Sequence, residues 1–458
     1  MRGRASDLAG LALAAALGCA PPPAEREAGA VEAGRPAADV LFRDVTAASG
    51  IDFVHDHGGT GRKYLPEIMG AGSCALDYDG DGWLDLYLVQ SGPVPGAAQT
   101  RPPGGRPAGN RLYRNRGAGA DGRVTFEDVT EAAGAGAAGY GMGAVAADVD
   151  NDGDADLYVV NFGPDVLLAN DGDGTFTDVT AEAGVDSPPW GSSATFFDAD
   201  GDGWLDLYVV NYLDFTVAAN VECGRASRGL LSYCHPDVYP MAPDVFYRNR
   251  GAAGGIAFAE ATVAAGLADT TGKGLGVVAA DLDDDGWTDL YVANDSTPNF
   301  LYRNRGEGVF EETAVFWGVG HNEEGMTEAG MGTDAGDVDG DGRLDLFVTN
   351  LNNETNALYL NGPGFFSYHT RHAGLYEASY LPVGFGTDLA DLDNDAGRGT
   401  STEESWRPKP SSPGKTTRTI RTRSGPHWSS RSSQILTKSS TARRALSRTK
   451  PRWRSSRA

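Results

Sequence analysis

Short apolar runs recur along this chain, each directly behind a cluster of aspartates. Leu86-Tyr-Leu-Val89, Leu157-Tyr-Val-Val160, Leu207-Tyr-Val-Val210, Leu290-Tyr-Val-Ala293 and Leu346-Phe-Val348 are rich in β-branched and aromatic residues, which predicts strands. Glycines precede the clusters, as in Gly70-Ala-Gly72 and Gly141-Met-Gly143, and suit strands crowded against neighbouring backbone. A second motif alternates with the first. Leu112-Tyr-Arg-Asn-Arg-Gly leads to Phe126-Glu-Asp-Val-Thr-Glu-Ala-Ala-Gly134, and related copies run from Asn170 to Gly184, from Phe246 to Phe258, from Leu301 to Phe310 and from Leu358 to Phe365. A half-copy, Phe42-Arg-Asp-Val-Thr, stands before them all.

The aspartate clusters start at 77, 148, 198, 281, 337 and 391, so successive starts lie 71, 50, 83, 56 and 54 residues apart. A unit of fifty-odd residues holding several short strands, with insertions between some copies, predicts the blades of an all-β propeller. Radial packing of one sheet face on the next covers what a single blade leaves exposed.

The spacing within each cluster is chemically specific. Aspartates stand at positions 1, 3, 5 and 9: Asp77, Asp79, Asp81, Asp85; Asp148, Asp150, Asp152, Asp156; Asp198, Asp200, Asp202, Asp206; Asp281, Asp283, Asp285, Asp289; and Asp337, Asp339, Asp341, Asp345. Calcium takes about 6 to 8 oxygen ligands, and carboxylates at positions 1, 3 and 5 converge on it when a glycine at position 6 permits the turn. Gly82, Gly153, Gly203, Gly286 and Gly342 supply it. Position 7 would offer its backbone carbonyl, which leaves the side chain free to vary among Trp83, Asp154, Trp204, Trp287 and Arg343. An EF-hand would need a glutamate at position 12 and flanking helices. Here position 12 is Leu88, Val159, Val209, Val292 or Val348 inside a predicted strand. The ninth aspartate is therefore expected to close the site, giving about five Ca2+ sites in β-turn-β loops. A sixth loop begins at Asp391, Asp393 and Asp395 and then breaks off.

Asp-x-Asp-x-Asp-Gly-x-x-Asp-Leu, followed by Leu-Tyr-Arg-Asn-x-Gly and Phe-x-Asp-Val-Thr-x-x-Ala-Gly, resembles the FG-GAP or VCBS repeats of the cartilage acidic protein (ASPIC/UnbV) family over residues 41–395. The resemblance implies a seven-bladed calcium-binding β-propeller of the integrin α-head type, usually extracellular, with an ASPIC/UnbV module near the C-terminus. About six blades are legible here and that module is not, so the ring is expected to be incomplete.

Composition changes after Asp395. Residues 396–458 hold 16 of the 38 Lys and Arg but only Glu403 and Glu404 of the 63 acidic residues, and they lack Val, Phe, Tyr, Asp and Asn altogether. The formal charge of -25 thus joins a strongly acidic repeat region to a basic tail. The codon pattern of Gly399-Thr-Ser-Thr, read two bases later, permits Asp-Leu-Tyr, the expected continuation of the sixth loop. The tail is accordingly read as a frameshifted, disordered low-complexity stretch and not as a nucleic-acid arm.

At the other end, Arg2 and Arg4 precede a short apolar run from Leu8 to Leu17 and the sequence Ala16-Leu-Gly-Cys19. This pattern resembles a bacterial lipoprotein signal over 1–19, with Cys19 lipidated, the protein exported and held to the outer membrane or cell surface, and a flexible tether over 20–40. Cys223 and Cys234 lie eleven apart in the longest insertion, where an exported protein can carry a disulfide. Cys74 reads as a small buried residue. His55-Asp-His57 could suggest a metal pair but, as a lone His-x-His on a predicted loop, reads as incidental, whereas His55, Lys63 and Glu67 fall in a polar stretch before the first blade that resembles the family's own and is a candidate ligand surface. No nucleophile elbow, phosphate loop or HExxH pattern is present. The function expected is therefore non-enzymatic: an extracellular calcium-binding module that binds a protein or glycan. The competing expectation is a polysaccharide lyase-like enzyme on the same scaffold.

Overall fold

A computed structural model describes residues 43–98, 109–187, 190–225, 229–251, 255–269 and 271–389. The signal with Cys19, the tether, the sixth loop at Asp391 and the basic tail lie outside these residues. The described chain forms five four-stranded antiparallel sheets that follow one another in sequence. The first contains β1 (Ser73–Leu76), β2 (Asp85–Leu88), β3 (Arg111–Ala118) and β4 (Val124–Asp128); the second β5 (Gly141–Ala147), β6 (Asp156–Asn161), β7 (Val166–Asn170) and β8 (Phe176–Asp178). The third takes β9 (Gly191–Phe197), β10 (Asp206–Asn211), β13 (Val245–Asn249) and β14 (Phe258–Glu260), with a separate hairpin of β11 (Cys223–Arg225) and β12 (Leu230–Ser232) inserted after its second strand. The fourth holds β15 (Gly274–Ala280), β16 (Asp289–Asn294), β17 (Phe300–Asn304) and β18 (Phe310–Glu312), and the fifth β19 (Thr333–Gly336), β20 (Asp345–Val348), β21 (Ala357–Gly362) and β22 (Phe365–Tyr368).

The second strands read as unbroken apolar runs because both sheet faces are covered. Along β6, Leu157 and Val159 pack with Leu112 and Tyr87 of the first sheet, while Tyr158 and Val160 pack with Leu207 and Val209 of the third. The same two-sided burial places Leu290 and Val292 of β16 against Tyr208 and Val210, and Tyr291 and Ala293 against Leu346 and Val348. These stacked faces make each sheet a propeller blade. Inner strands approach so closely that a Cβ on Gly276 would stand 2.4 Å from the Met331 carbonyl oxygen, and one on Gly332 2.0 Å from that of Phe385. Glycine is required there by the backbone of the next blade, as the paired glycines predicted.

The ring is not closed. The outward face of the first blade packs on Ile51 and Phe53 of the segment before it, and that of the fifth on Leu375 and Leu389 of the segment after it. Residues 383–389 run along β19, with Gly384 N donating to Asn350 O (3.3 Å) and Thr349 Oγ1 to Phe385 O (3.2 Å). They occupy the place of an inner strand of a sixth blade. Five blades are thus complete among the described residues, where the sequence led us to expect about six.

Candidate metal centres

Each aspartate loop joins the first and second strand of its blade, and its turn is fixed by two left-handed residues. Position 6 is glycine with φ between 85° and 101° in Gly82, Gly153, Gly203, Gly286 and Gly342. Position 4 is left-handed as well, at Gly80, Asn151, Gly201, Asp284 and Gly340. Glycine, asparagine and aspartate tolerate that conformation best, a second constraint that the spacing argument overlooked although its residue types signal it.

Inside the turn, the first aspartate accepts backbone N–H groups across the loop: Asp77 Oδ1 from Asp81 N (3.1 Å) and Oδ2 from Gly82 N (2.8 Å), with the same pattern at Asp148, Asp281 and Asp337 and a close variant at Asp198. Position 7 points its N–H at the fifth aspartate. Its side chain lies over the turn between the blade's third and fourth strands, where Trp83 meets Gly117, Trp204 meets Gly251 and Trp287 meets Gly306. Asp154 meets Gly172 in the same way, and Arg343 Nε donates to Asn361 O.

The ninth aspartate has a larger structural share than expected. Asp85, Asp156, Asp206, Asp289 and Asp345 are buried, and each takes one N–H from loop position 2 and another from an asparagine of the third strand: for Asp156, Val149 N at 2.9 Å and Asn170 N at 2.8 Å. Carboxylate oxygens of positions 1, 3 and 9 converge within 4.8 Å in loops one, two and five; in loops three and four the converging set is positions 1, 3 and 5. Asp206 and Asp289 thus stand outside the converging set of their loops, although their two backbone hydrogen bonds are the same as those of Asp85, Asp156 and Asp345. Burial pushes the carboxyls of Asp156, Asp206 and Asp289 up to about 7 and those of Asp85 and Asp345 to about 6, against the downward pull of those two N–H groups.

The donor set fits a hard cation. Buried carboxylate oxygens normally find donors, yet Oδ1 of Asp79, Asp200 and Asp283 is buried without a hydrogen bond. These atoms belong to position 3, which is a member of the converging set in every loop. When bound, calcium supplies rigid positive charge at the point where these carboxylates meet, so that their mutual repulsion no longer opposes the turn. Asp77, Asp148, Asp198, Asp281 and Asp337, the position-3 and position-5 aspartates, the backbone at position 7 and, in loops one, two and five, Asp85, Asp156 and Asp345 are the residues that would hold it.

An asparagine seam links each centre to its neighbour. Asn170 Nδ2 donates to Tyr78 O (2.9 Å), Asn249 to Val149 O (2.7 Å), Asn304 to Ala199 O (2.7 Å) and Asn361 to Leu282 O (2.8 Å). In every case the acceptor is position 2 of the preceding blade's loop, so the asparagine at this place in the third strand of the second to fifth blades is a strut between blades.

The opposite end of the blades is built differently. Tyr64, Met69, Tyr140, Phe162, Trp190, Tyr212, Phe215 and Tyr239 form one aromatic core there, and a Cys223–Cys234 disulfide closes the insertion of the third blade. Of the polar stretch before the first blade, Glu67 is buried and accepts from Thr60 N (3.0 Å) and Tyr233 Oη (3.2 Å), Lys63 lies over the Tyr233 ring, and His55 Nε2 contacts Ser91 Oγ. These residues tie the segment to the insertions. Cys74 is half-buried, its thiol pushed up to about 11 by burial. Beside the fifth blade a cleft of about 190 Å³ is lined by Glu323, Glu324, Glu328, Glu354 and three tyrosines, with Arg371 engaged by Glu323. No helix among the described residues is long and apolar enough to cross a membrane.

Five stacked blades with an aspartate turn at the same end of each define a repeat β-propeller of the metal-loop type. The sequence model described as "FG-GAP-like repeat" matches residues 77–159, 148–209, 281–348 and 337–396, and the chain belongs to that family. Cartilage acidic protein 1 of Homo sapiens is 30% identical over 134 residues, which cover 28% of this chain and 19% of the human protein. The Mus musculus protein is likewise 30% identical over 134 residues, 28% of this chain and 20% of its own length. The matched stretch is thus about a fifth of these relatives. Among solved structures, an Agrocybe aegerita lectin described as recognising non-reducing terminal N-acetylglucosamine is similar at 17% identity over 65% of this chain and 66% of the lectin, TM-score 0.36. The V. cholerae biofilm matrix protein Bap1 is similar at 13% identity over 65% and 38%, TM-score 0.33.

Proposed function

We propose that this chain is an extracellular calcium-binding propeller that serves as a non-enzymatic ligand-binding module, with calcium setting one end of the blades and the insertions of the other end meeting a protein or glycan. The observation that carries this reading is the fivefold recurrence of converging aspartate oxygens, with the position-3 oxygen left without a donor in three loops. Calcium rigidifies the blades and takes no part in a reaction. Export and a lipid anchor on Cys19 belong to the same reading, and nucleic acid is not a partner of so acidic a loop end. The cleft beside the fifth blade is acidic and its arginine is already paired, which does not suit the carboxylate of a uronate and lends a lyase no support. A glycan and protein-ligand array probed with and without calcium tests the reading, together with an assay for unsaturated uronate products. Calcium-dependent capture without product is expected; product formation would replace the binding module with the lyase.

A further inference from the structure

The five loops share one backbone but not one charge environment. In loop one, Arg114 Nη2 stands 2.6 Å from Asp79 Oδ2 and 3.2 Å from Asp81 Oδ2. In loop three, Arg248 Nη1 stands 2.8 Å from Asp200 Oδ2. Arg303 pairs with Asp283 in loop four and also stands 3.8 Å from Asp285. All three are the arginine of Leu-Tyr-Arg-Asn or Phe-Tyr-Arg-Asn on the blade's third strand. In loop five that position is Leu360, and Arg343, from position 7, pairs with Asp341 instead. Loop two differs from all of these. Its third-strand position is Ala169, its position 7 is Asp154, and among the described residues no arginine or lysine forms an ion pair with any of its aspartates. Asp154 in turn lies against Gly172, between Asp171 and Asp173 of the adjoining turn.

We propose that the loops are unequal calcium sites ranked by this internal counter-charge: loop two, Asp148 to Asp156, fills first and most tightly, and the arginines of the other four act as resident cations that lower affinity. This inference rests on the calcium reading above. A guanidinium already sharing a position-3 or position-5 carboxylate repels an incoming divalent cation, and at a separation of about 5 Å, even in a water-like dielectric, that repulsion amounts to about tenfold or more in affinity. Asp154 adds a fifth carboxylate to loop two without displacing the main-chain ligand at position 7. The arginines bring a compensating benefit. Arg248 also donates to Gly308 O (3.0 Å) on the next blade, so loop three has a prop that does not depend on metal.

Calorimetric titration of the metal-stripped full chain with calcium is the test. One equivalent is expected to bind at least tenfold more tightly than the rest. Asp150→Asn should abolish that tight phase, and Asp154→Ala should weaken it with the number of equivalents unchanged. Arg114→Gln should convert one weak equivalent into a tighter one, and Arg248→Gln provides the same readout should the first variant be poorly folded by circular dichroism. A single affinity for all equivalents, or arginine variants with wild-type isotherms, would overturn the ranking and leave the calcium reading standing. Absence of any calcium uptake would overturn both.

Discussion

The two ends of the blades follow different rules. At the loop end, every centre is assembled within nine residues: the first aspartate folds the turn over itself, two left-handed residues shape it, and the ninth aspartate anchors it to the strand that follows. At the insertion end, the core is assembled from residues far apart in sequence. Tyr140 Oη donates to His57 O (2.8 Å), Trp190 packs edge-on against Phe162 (5.1 Å) and Tyr212 (5.2 Å), and Tyr212 Oη reaches Asp295 Oδ2. Electrostatics of one sign dominate the first end and apolar burial the second. A cation bound at the loops would therefore stabilise one end only, and the two can be perturbed separately.

Chelation should give the largest effect. Each site saturated a hundredfold above its Kd contributes about 2.7 kcal/mol, so stripping several centres should lower Tm by more than about 10 °C. Hydrogen exchange should show the amides of Asp81, Asp152, Gly201, Asp285 and Asp341 losing protection before those around Trp190. Unchanged melting in excess EDTA would break the distinction between the ends at its root.

Trp190→Ala attacks the other end. Truncating a fully buried tryptophan in a packed aromatic core costs about 3 to 5 kcal/mol. Melting should fall accordingly, with calcium stoichiometry unchanged because no loop touches the cavity. A parallel loss of bound calcium would show that the ends are coupled through the blades.

The smallest effect sharpens the comparison with a buried acid that is not part of a loop. Asp165 precedes the third strand of the second blade, its Oδ1 accepting from Asn161 N (2.7 Å) and its Oδ2 from Tyr158 Oη (2.9 Å). Burial pushes its carboxyl up to about 8. It is thus protonated in the folded chain at neutral pH and ionised in the unfolded chain above about 4, so stability falls as pH rises from about 4 through about 8. The equivalent residues in the first and fourth blades are Asn110 and Asn299, whose Nδ2 groups donate to Tyr87 Oη (3.0 Å) and Tyr291 Oη (2.9 Å). Asp165→Asn should therefore raise stability at pH 8 and leave it nearly unchanged near pH 4, measured by urea unfolding across that range. A gain that does not depend on pH would mean that the carboxyl is not protonated in the fold.

The strands, the aspartate turns and the blade repeat were legible in the chain alone, because each is a short-range device: a left-handed glycine, carboxylates two residues apart, an apolar run of four or five. The Cys223 and Cys234 pairing was legible for the same reason, eleven residues being a short loop to close. The sequence could not say which blade face meets which neighbour, since Leu157-Tyr-Val-Val is buried on both sides and carries no polar alternation to orient it. Nor could it show that the third-strand asparagine reaches back to the previous loop, that the arginine before it in three blades is a counter-ion for position 3, or that the ninth aspartate of every loop turns both oxygens to backbone donors. The longest of those pairings join residues about a hundred positions apart, as in Asn249 with Val149, and only the stacking of blades brings such partners within a hydrogen bond's reach.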